Sequence, residues 1–257
     1  MRCDRGFIGL LALVCSCAAI PGGEPGSQPG PPSAARNTTP LDSTGLREDA
    51  KLITLSGSIE SFLSAFNADV NIPRFVAILS PTCGACRHGA EAIKETLSGD
   101  ARDGKLRLFV VWAPMLAPDN DASALEAVGL FSGVAVSQFY DPDRRLGDVF
   151  RKDVFPRAAD EMRQSLPHGH YLEASLAGRS NDTPEWDIYM FFDAATVWTS
   201  ATPRPRHWVR QIARVQKGQG GLISVMWKDS YALLPKEGLL ADQLREMARV
   251  ITGAGRK

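Results

Sequence analysis

Phe75-Val76-Ala77-Ile78-Leu79-Ser80-Pro81-Thr82-Cys83-Gly84-Ala85-Cys86 is the stretch on which the fold turns. Its apolar run after Pro73 reads as a buried parallel strand, because a strand covered on both faces has no polar side to show. Pro81 to Cys86 turns the chain. Arg87 to Leu97, with Ala90, Ile93 and Leu97 facing inward, then reads as a helix stopped by Ser98-Gly99-Asp100. The two thiols therefore lie where a strand gives way to a helix. There the free N–H groups and the helix dipole favour a thiolate on the first cysteine. Thiolate is the species that attacks disulfides, so the placement suits a pair that forms and breaks one disulfide. The same two soft ligands also suit Cu(I), Zn(II) or Hg(II), and the pair by itself leaves that alternative open.

Outward from the pair, the pattern continues as alternating elements. Ser58 to Ala68 carries Ile59, Phe62, Leu63 and Phe66 at helical spacing, with Ser58 as the expected N-cap. Leu106 to Trp112 is a second buried strand, followed by the proline loop Ala113 to Pro118 and a short helix, Asp121 to Phe131. Val134 to Tyr140 is a third strand, Asp141-Pro142-Asp143-Arg144 a turn, and Leu146 to Arg151 an amphipathic piece. Residues 153–185 are polar and broken by Pro156, Pro167 and Pro184, which reads as an insertion. Ile188 to Phe192 is a strong strand, and Asp193 to Thr196 is expected to fold it back into Val197-Trp198 as a hairpin. Trp208 to Gln216 is helical by spacing, Leu222 to Trp227 a last strand, and Leu239 to Ile251 an amphipathic helix. This order predicts an α/β fold: a central mixed sheet with parallel pairs and one antiparallel edge, flanked by helices.

The chain has 257 residues, enough for one full core with extensions. Lys and Arg balance Asp and Glu at 29 each, and no long basic block appears, which argues against nucleic acid as the partner. Residues 1–20 stand apart from the fold. Arg2 and Arg5 precede the apolar Phe7 to Val14, and small residues follow around Ala18-Ala19, which is the pattern of a secretion signal. The apolar segment is shorter than the ~20 residues a membrane span needs. Val14-Cys15-Ser16-Cys17 also resembles a bacterial lipobox, although Cys15 takes a place usually held by a residue such as Ala or Ser. Three outcomes stay open: lipid attachment at Cys17, ordinary cleavage after Ala19, and an uncleaved anchor. Residues 21–45 are rich in Pro, Gly, Ser and Thr without apolar periodicity, and are expected to be a disordered tether.

The cysteine arithmetic sharpens the export reading. Cys3, Cys15 and Cys17 fall in the leader, leaving Cys83 and Cys86 of the five for the folded part. A secreted domain stapled by disulfides carries several dispersed cysteines. One close pair is better explained by chemistry than by stapling.

The strand before Cys83-Gly84-Ala85-Cys86, the helix after it, the strand ending at Trp112, and Phe139-Tyr140-Asp141-Pro142-Asp143-Arg144-Arg145-Leu146 together resemble the thioredoxin-like superfamily, within its exported TlpA-like and peroxiredoxin-like branch. The resemblance covers residues 46–217, with the insertion at about 153–185 before the C-terminal hairpin and residues 218–257 as a C-terminal extension. It implies a thioredoxin-like fold in which Cys83 is the attacking thiolate and Cys86 the resolving thiol. It further implies a thiol–disulfide oxidoreductase that needs no cofactor beyond its redox-active disulfide. The implied partners are a disulfide or dithiol protein and a membrane electron donor, in the periplasm or cell envelope. This chain departs from the family at four places. Thr82 stands where Trp is common, Ala85 replaces the proline inside the pair, the strand Phe75 to Leu79 holds no buried acid, and the proline expected just before Ile188 is displaced to Pro184. At that last place, either Pro184 supplies a cis bond with a shifted strand start, or Trp186-Asp187 fills the position with a trans backbone.

Trp112, Pro184 and Trp186 are the candidate walls of the site, with Pro114 and Met115 beside Trp112. His88 lies two residues past Cys86, a spacing that turns it about 160° away on a helix, so it reads as a solvent-facing residue. Arg87 reads as a solvated charge. His168-Gly169-His170 lacks a recognisable third ligand and reads as loop. Asp119-Asn120-Asp121 follows the second strand and reads as a helix cap at Asn120 or Asp121. Two alternatives to exchange chemistry remain from the sequence: soft-metal binding or delivery by Cys83 and Cys86, and a thioredoxin-like binding module whose disulfide is structural.

Overall fold

In the computed structural model, which describes residues 51–156, 183–212, 222–227, 230–235 and 239–253, the apolar run after Pro73 is the strand β2 (Arg74–Leu79), and every residue in it is buried. Around it lie β1 (Leu52–Thr54), α1 (Glu60–Ala68), α2 (Gly84–Arg102), β3 (Arg107–Trp112), α3 (Asp121–Val128), β4 (Val136–Tyr140) and α4 (Arg145–Asp153). The later elements are β5 (Ile188–Phe192), β6 (His207–Ile212), β7 (Leu222–Trp227), β8 (Ser230–Pro235) and α5 (Leu239–Ile251). The strands form one eight-stranded mixed sheet in the order β1-β4-β3-β2-β5-β6-β7-β8. From β1 to β2 all neighbours are parallel; from β2 onward each neighbour is antiparallel.

Side-chain alternation along the central strands builds two cores, because successive residues of a strand point to opposite faces. Phe75, Ala77, Leu79, Val110, Trp112, Tyr189 and Phe191 face α2, α3 and α5, meeting Ala90, Ile93, Leu97, Ala124 and Leu244. Val76, Ile78, Phe109, Val111, Ile188, Met190 and Phe192 face α1 and α4, meeting Phe62, Phe66, Leu146 and Phe150. The second core is largely aromatic: Phe66 stands edge-on to Phe192 and Trp198, and Phe62 to Phe139, at centroid distances of 5.2–5.7 Å, the arrangement aromatic pairs prefer. Arg74, fully buried at the start of β2, donates to the carbonyls of Val70, Ile72 and Thr196 and lies 4.7 Å over the Phe66 ring. The expected mixed sheet flanked by helices is therefore present, and it is compatible with a thioredoxin-like arrangement.

Three local expectations are corrected. Trp208 to Gln216 was expected to be helical, but His207–Ile212 is the strand β6, paired with β5 and β7. Trp208 and Val209 face opposite cores, and His207 and Gln211 are buried as well, so burial on both faces of the strand hides the two-residue alternation. The hairpin partner of β5 is consequently β6 and not Val197-Trp198. Trp198 is instead pinned in the second core by α1, its backbone N–H donating to Asn67 Oδ1 and its carbonyl accepting from Asn67 Nδ2. Finally, Ser98-Gly99-Asp100 does not end α2, which runs to Arg102 and is closed by Gly104 at φ +68°. Gly tolerates that left-handed conformation without steric cost.

The segment Leu222–Trp227 is a strand as expected, with β8 beyond it at the sheet edge. Strands from residues 218–257 thus continue the same sheet, and α5 packs beside α2. Most of the insertion expected at 153–185, with His168 and His170, lies outside the described residues, as do the leader, Cys17 and the tether.

Candidate active site

The site forms where β2 ends and β5 begins. Because β5 runs antiparallel to β2, the residue entering β5 is brought beside the loop leaving β2, and Asp187 N–H donates to the Ile78 carbonyl at 2.8 Å. The thiol loop and the segment Pro184-Glu185-Trp186-Asp187 are therefore neighbours in space, about 100 residues apart in sequence.

Cys83 is the N-cap of α2, with φ −71° and ψ 119°, and its Sγ accepts from the backbone N–H of Cys86 at 3.5 Å. It is partly exposed, whereas Cys86 is fully buried, and both are free thiols. The Cys86 thiol hydrogen-bonded to Cys83 stabilises the Cys83 thiolate most. The backbone N–H groups of Cys86 and Ala85 add to this, against burial and the charge of Asp187, and the Cys83 pKa falls to about 6. At pH 7 roughly nine-tenths of such a thiol is ionised. Burial, the bond to Cys83 and the Asp187 charge all push the Cys86 thiol strongly up. One sulfur is thus a partly exposed thiolate and the other a buried reserve thiol, an asymmetry suited to sequential attack.

Beneath the pair lies a buried polar network. Asp187 is 6% exposed and adopts a left-handed φ of +55°, which Asp tolerates better than most residues. Its Oδ1 accepts from Tyr189 OH at 2.9 Å and from Gln211 Nε2 at 2.8 Å. Gln211 Nε2 also reaches Tyr189 OH at 2.8 Å and the Ala85 carbonyl, inside the cysteine motif, at 3.2 Å. Tyr189 is fully enclosed. Burial first, then the Asp187 and Cys86 charges, hold its pKa well above the ordinary value, so it remains a protonated donor. Its hydroxyl occupies the room left by Gly89 on α2, where an added Cβ would stand 1.8 Å from the oxygen.

The candidate walls separate on inspection. Trp112 is not a wall: it is fully buried in the core, its indole N–H donating to Gln138 Oε1 at 3.0 Å. Pro184 is buried against α4, and no cis peptide bond occurs among the described residues. Trp186-Asp187 therefore leads into β5 on a trans backbone, and Pro184 supplies no cis bond. Glu185 holds this segment in place, its N–H donating to the Gly147 carbonyl at 3.1 Å and its carboxylate lying 3.4 Å from Arg210 of β6. Trp186 is partly buried, packs against both cores and directly precedes Asp187. His88 is exposed and pairs with Glu91 at 3.1 Å. Arg87 reaches the Pro81 carbonyl at 3.4 Å and Glu126 at 3.8 Å. Asn120 caps α3 in a reciprocal box with Ser123.

Tyr189 and Gln211 were not singled out from the sequence, and Asp187 was named there only with Trp186 as the residue pair before Ile188, not as a buried carboxylate. The available signal was a carboxylate immediately before the strand that runs antiparallel to β2. Among the described residues no group of three or more His, Cys, Asp or Glu side chains is placed to hold a metal ion. Comparison with protein-family models, with curated proteins and with solved structures gave no match.

Proposed function

We propose that this protein is an exported thiol–disulfide oxidoreductase with a thioredoxin-like domain, acting through a Cys83–Cys86 dithiol on protein or small-molecule disulfides. The observation that carries the reading is the pairing of a partly exposed, hydrogen-bonded Cys83 thiolate with a buried Cys86 thiol at the N-terminus of α2. Cys83 Sγ attacks one sulfur of the substrate disulfide, breaking that bond and forming a mixed disulfide as one substrate thiolate leaves. Cys86 then gives up its proton and attacks Cys83 Sγ, so the second substrate thiolate departs and the protein holds the disulfide. The substrate gains two electrons and two protons overall, one proton from Cys86 and one from the solvent that took up the Cys83 proton on ionisation; run in reverse, the same steps oxidise a dithiol. The Asp187 charge adds to the burial that keeps Cys86 protonated until it attacks.

A soft metal held by protein alone would need further ligands, and among the described residues no group of three or more His, Cys, Asp or Glu side chains is placed to supply them. This favours exchange over metal delivery. The stabilised Cys83 thiolate favours exchange over a structural disulfide, which has no use for it. The cofactor is the redox-active disulfide itself, and the partners are a disulfide or dithiol protein and an electron donor in the membrane. The reduced protein mixed with excess small-molecule disulfide is expected to release close to two thiols per chain. Tight stoichiometric Cu(I) or Hg(II) binding without thiol release would overturn the reading.

Replacing Asp187 by Asn removes a charge that raises the Cys83 pKa, so the thiol is expected to titrate below about 6. Ultraviolet thiolate absorbance against pH measures this; an upward shift would show that Asp187 does not face the pair as a carboxylate.

The export half of the proposal rests on the leader, with lipid attachment at Cys17 tethering the domain to a cell-envelope membrane through residues 21–45. No helix among the described residues is long and apolar enough to cross a membrane. Mass spectrometry of the mature protein is expected to find a diacylglyceryl group on Cys17, and a free N-terminus at Ile20 would refute the anchor.

A further inference from the structure

One carboxylate beside the thiol loop collects an unusual number of donors. Asp119 follows the proline loop after β3, and its Oδ1 accepts from the Thr82 backbone N–H at 3.0 Å and the Thr82 hydroxyl at 2.6 Å. Its Oδ2 accepts from the Ser80 hydroxyl at 2.7 Å and from the backbone N–H groups of Met115 at 2.8 Å and Leu116 at 2.7 Å. Five donors from two separate loops thus converge on two oxygens, more than the roughly four lone-pair sites of an ionised carboxylate, so at least two donors share a site. Burial works to raise its pKa, but the Thr82 and Ser80 hydroxyls and the Leu116 and Thr82 amides outweigh it and hold the group ionised below the usual range.

The convergence bears on Cys83 through the backbone. Ser80 and Thr82 flank Pro81 in the turn that delivers Cys83, and Cys83 N–H donates to the Ser80 carbonyl at 3.3 Å. The Cys83 sulfur reaches the Cys86 N–H only while Cys83 keeps its extended N-cap conformation. Thr82, held by both backbone and side chain, fixes the Pro81–Thr82 peptide plane one residue before Cys83, while the Cys83 N–H is held by the Ser80 carbonyl of the same turn. Met115 and Leu116, bound to the same oxygen, set the neighbouring loop against it; Leu116 is 38% exposed there.

We propose that Asp119 is a positioning residue that locks the Ser80–Thr82 turn to the Met115–Leu116 loop and so holds Cys83 in the conformation in which its thiolate is stabilised. Asp119 acts through Thr82 and does not itself touch the reacting sulfur. The inference rests on the reading of Cys83 as the nucleophile. The charged and titratable groups around that sulfur are Cys86 on α2 and Asp187 before β5.

The test is the pH dependence of iodoacetamide alkylation in a Cys86→Ser background, where Cys83 alone reports. Asp119→Asn keeps the shape but turns an amide N–H₂ toward groups that are themselves donors. Thr82→Val keeps the fold's β-branched shape and removes one donor. The expected result is a rise in the Cys83 titration midpoint, lowering the alkylation rate at pH 6 by about threefold to tenfold in Asp119→Asn and by less in Thr82→Val. Asp143→Asn, an exposed partner of Arg145, is expected to leave the midpoint unchanged. A folded Asp119→Asn whose midpoint matches the parent overturns the proposal. If that variant does not fold, Thr82→Val decides in the same way. A parent midpoint at the ordinary cysteine value would instead remove the nucleophile reading, and this proposal with it; the two failures are distinct.

Discussion

Cys86→Ser mixed with a partner disulfide is expected to accumulate a covalent mixed disulfide on Cys83, while Cys83→Ser forms none. The expectation follows from the asymmetry of the pair. Cys83 is partly exposed with a pKa near 6, so removing Cys86 leaves an attacking group with no resolving one. The Cys86 thiol contributes a hydrogen bond to Cys83, and a Ser hydroxyl at that place still donates, so the variant keeps much of its thiolate. Removing Cys83 leaves a fully buried thiol whose ionisation burial and Asp187 oppose, and such a sulfur neither attacks nor is reached. Turnover is expected to vanish in both variants, and non-reducing electrophoresis separates them. Equal trapping by both would mean that burial does not order the two sulfurs.

Gly89→Ala is expected to lower the melting temperature by roughly 5–15 °C, from an overpacking cost of about 1–3 kcal/mol and a similar cost for displaced buried hydrogen bonds. Its Cβ would stand 1.8 Å from the Tyr189 hydroxyl and 2.7 Å from Cζ, with the Tyr189 ring fully buried between α2 and β5. Moving the Tyr189 ring breaks its bonds to Asp187 and Gln211, so the fold and the site are perturbed together. Adding Tyr189→Phe removes the closest clash. The double variant is expected to melt higher than Gly89→Ala alone, although Tyr189→Phe by itself destabilises by leaving Asp187 short of a donor. Additive losses would show that the ring and the helix are not in contact.

How much of this was legible in the sequence depends on where each signal lies. β2 and β3 are continuous apolar runs, and α5 is strongly amphipathic, so local pattern reports them directly. β6 was misread because Trp208, Val209 and Gln211 are all buried, each on business of its own: one in each core, and one in the polar network. Burial on both faces erases the periodicity that distinguishes strand from helix. The thiol pair was legible because its spacing is local. Asp187 was not, since its meaning comes from Tyr189 and Gln211, and from Cys83 and Cys86 across the β2–β5 pairing. Trp112 shows the converse: its place at the strand end suggested a wall, whereas the Gln138 side chain that satisfies its indole N–H lets it sit wholly in the core.

Cys83 and Cys86 are expected to interconvert reversibly between dithiol and disulfide. Equilibration of the protein in a series of glutathione buffers, followed by acid quenching and mass spectrometry, tests it most directly. The expected result is a single two-electron transition in which the chain loses two hydrogens and digestion yields one peptide cross-linked between Cys83 and Cys86. A persistent glutathione adduct on Cys83 with no cross-link at any ratio of thiol to disulfide would contradict it.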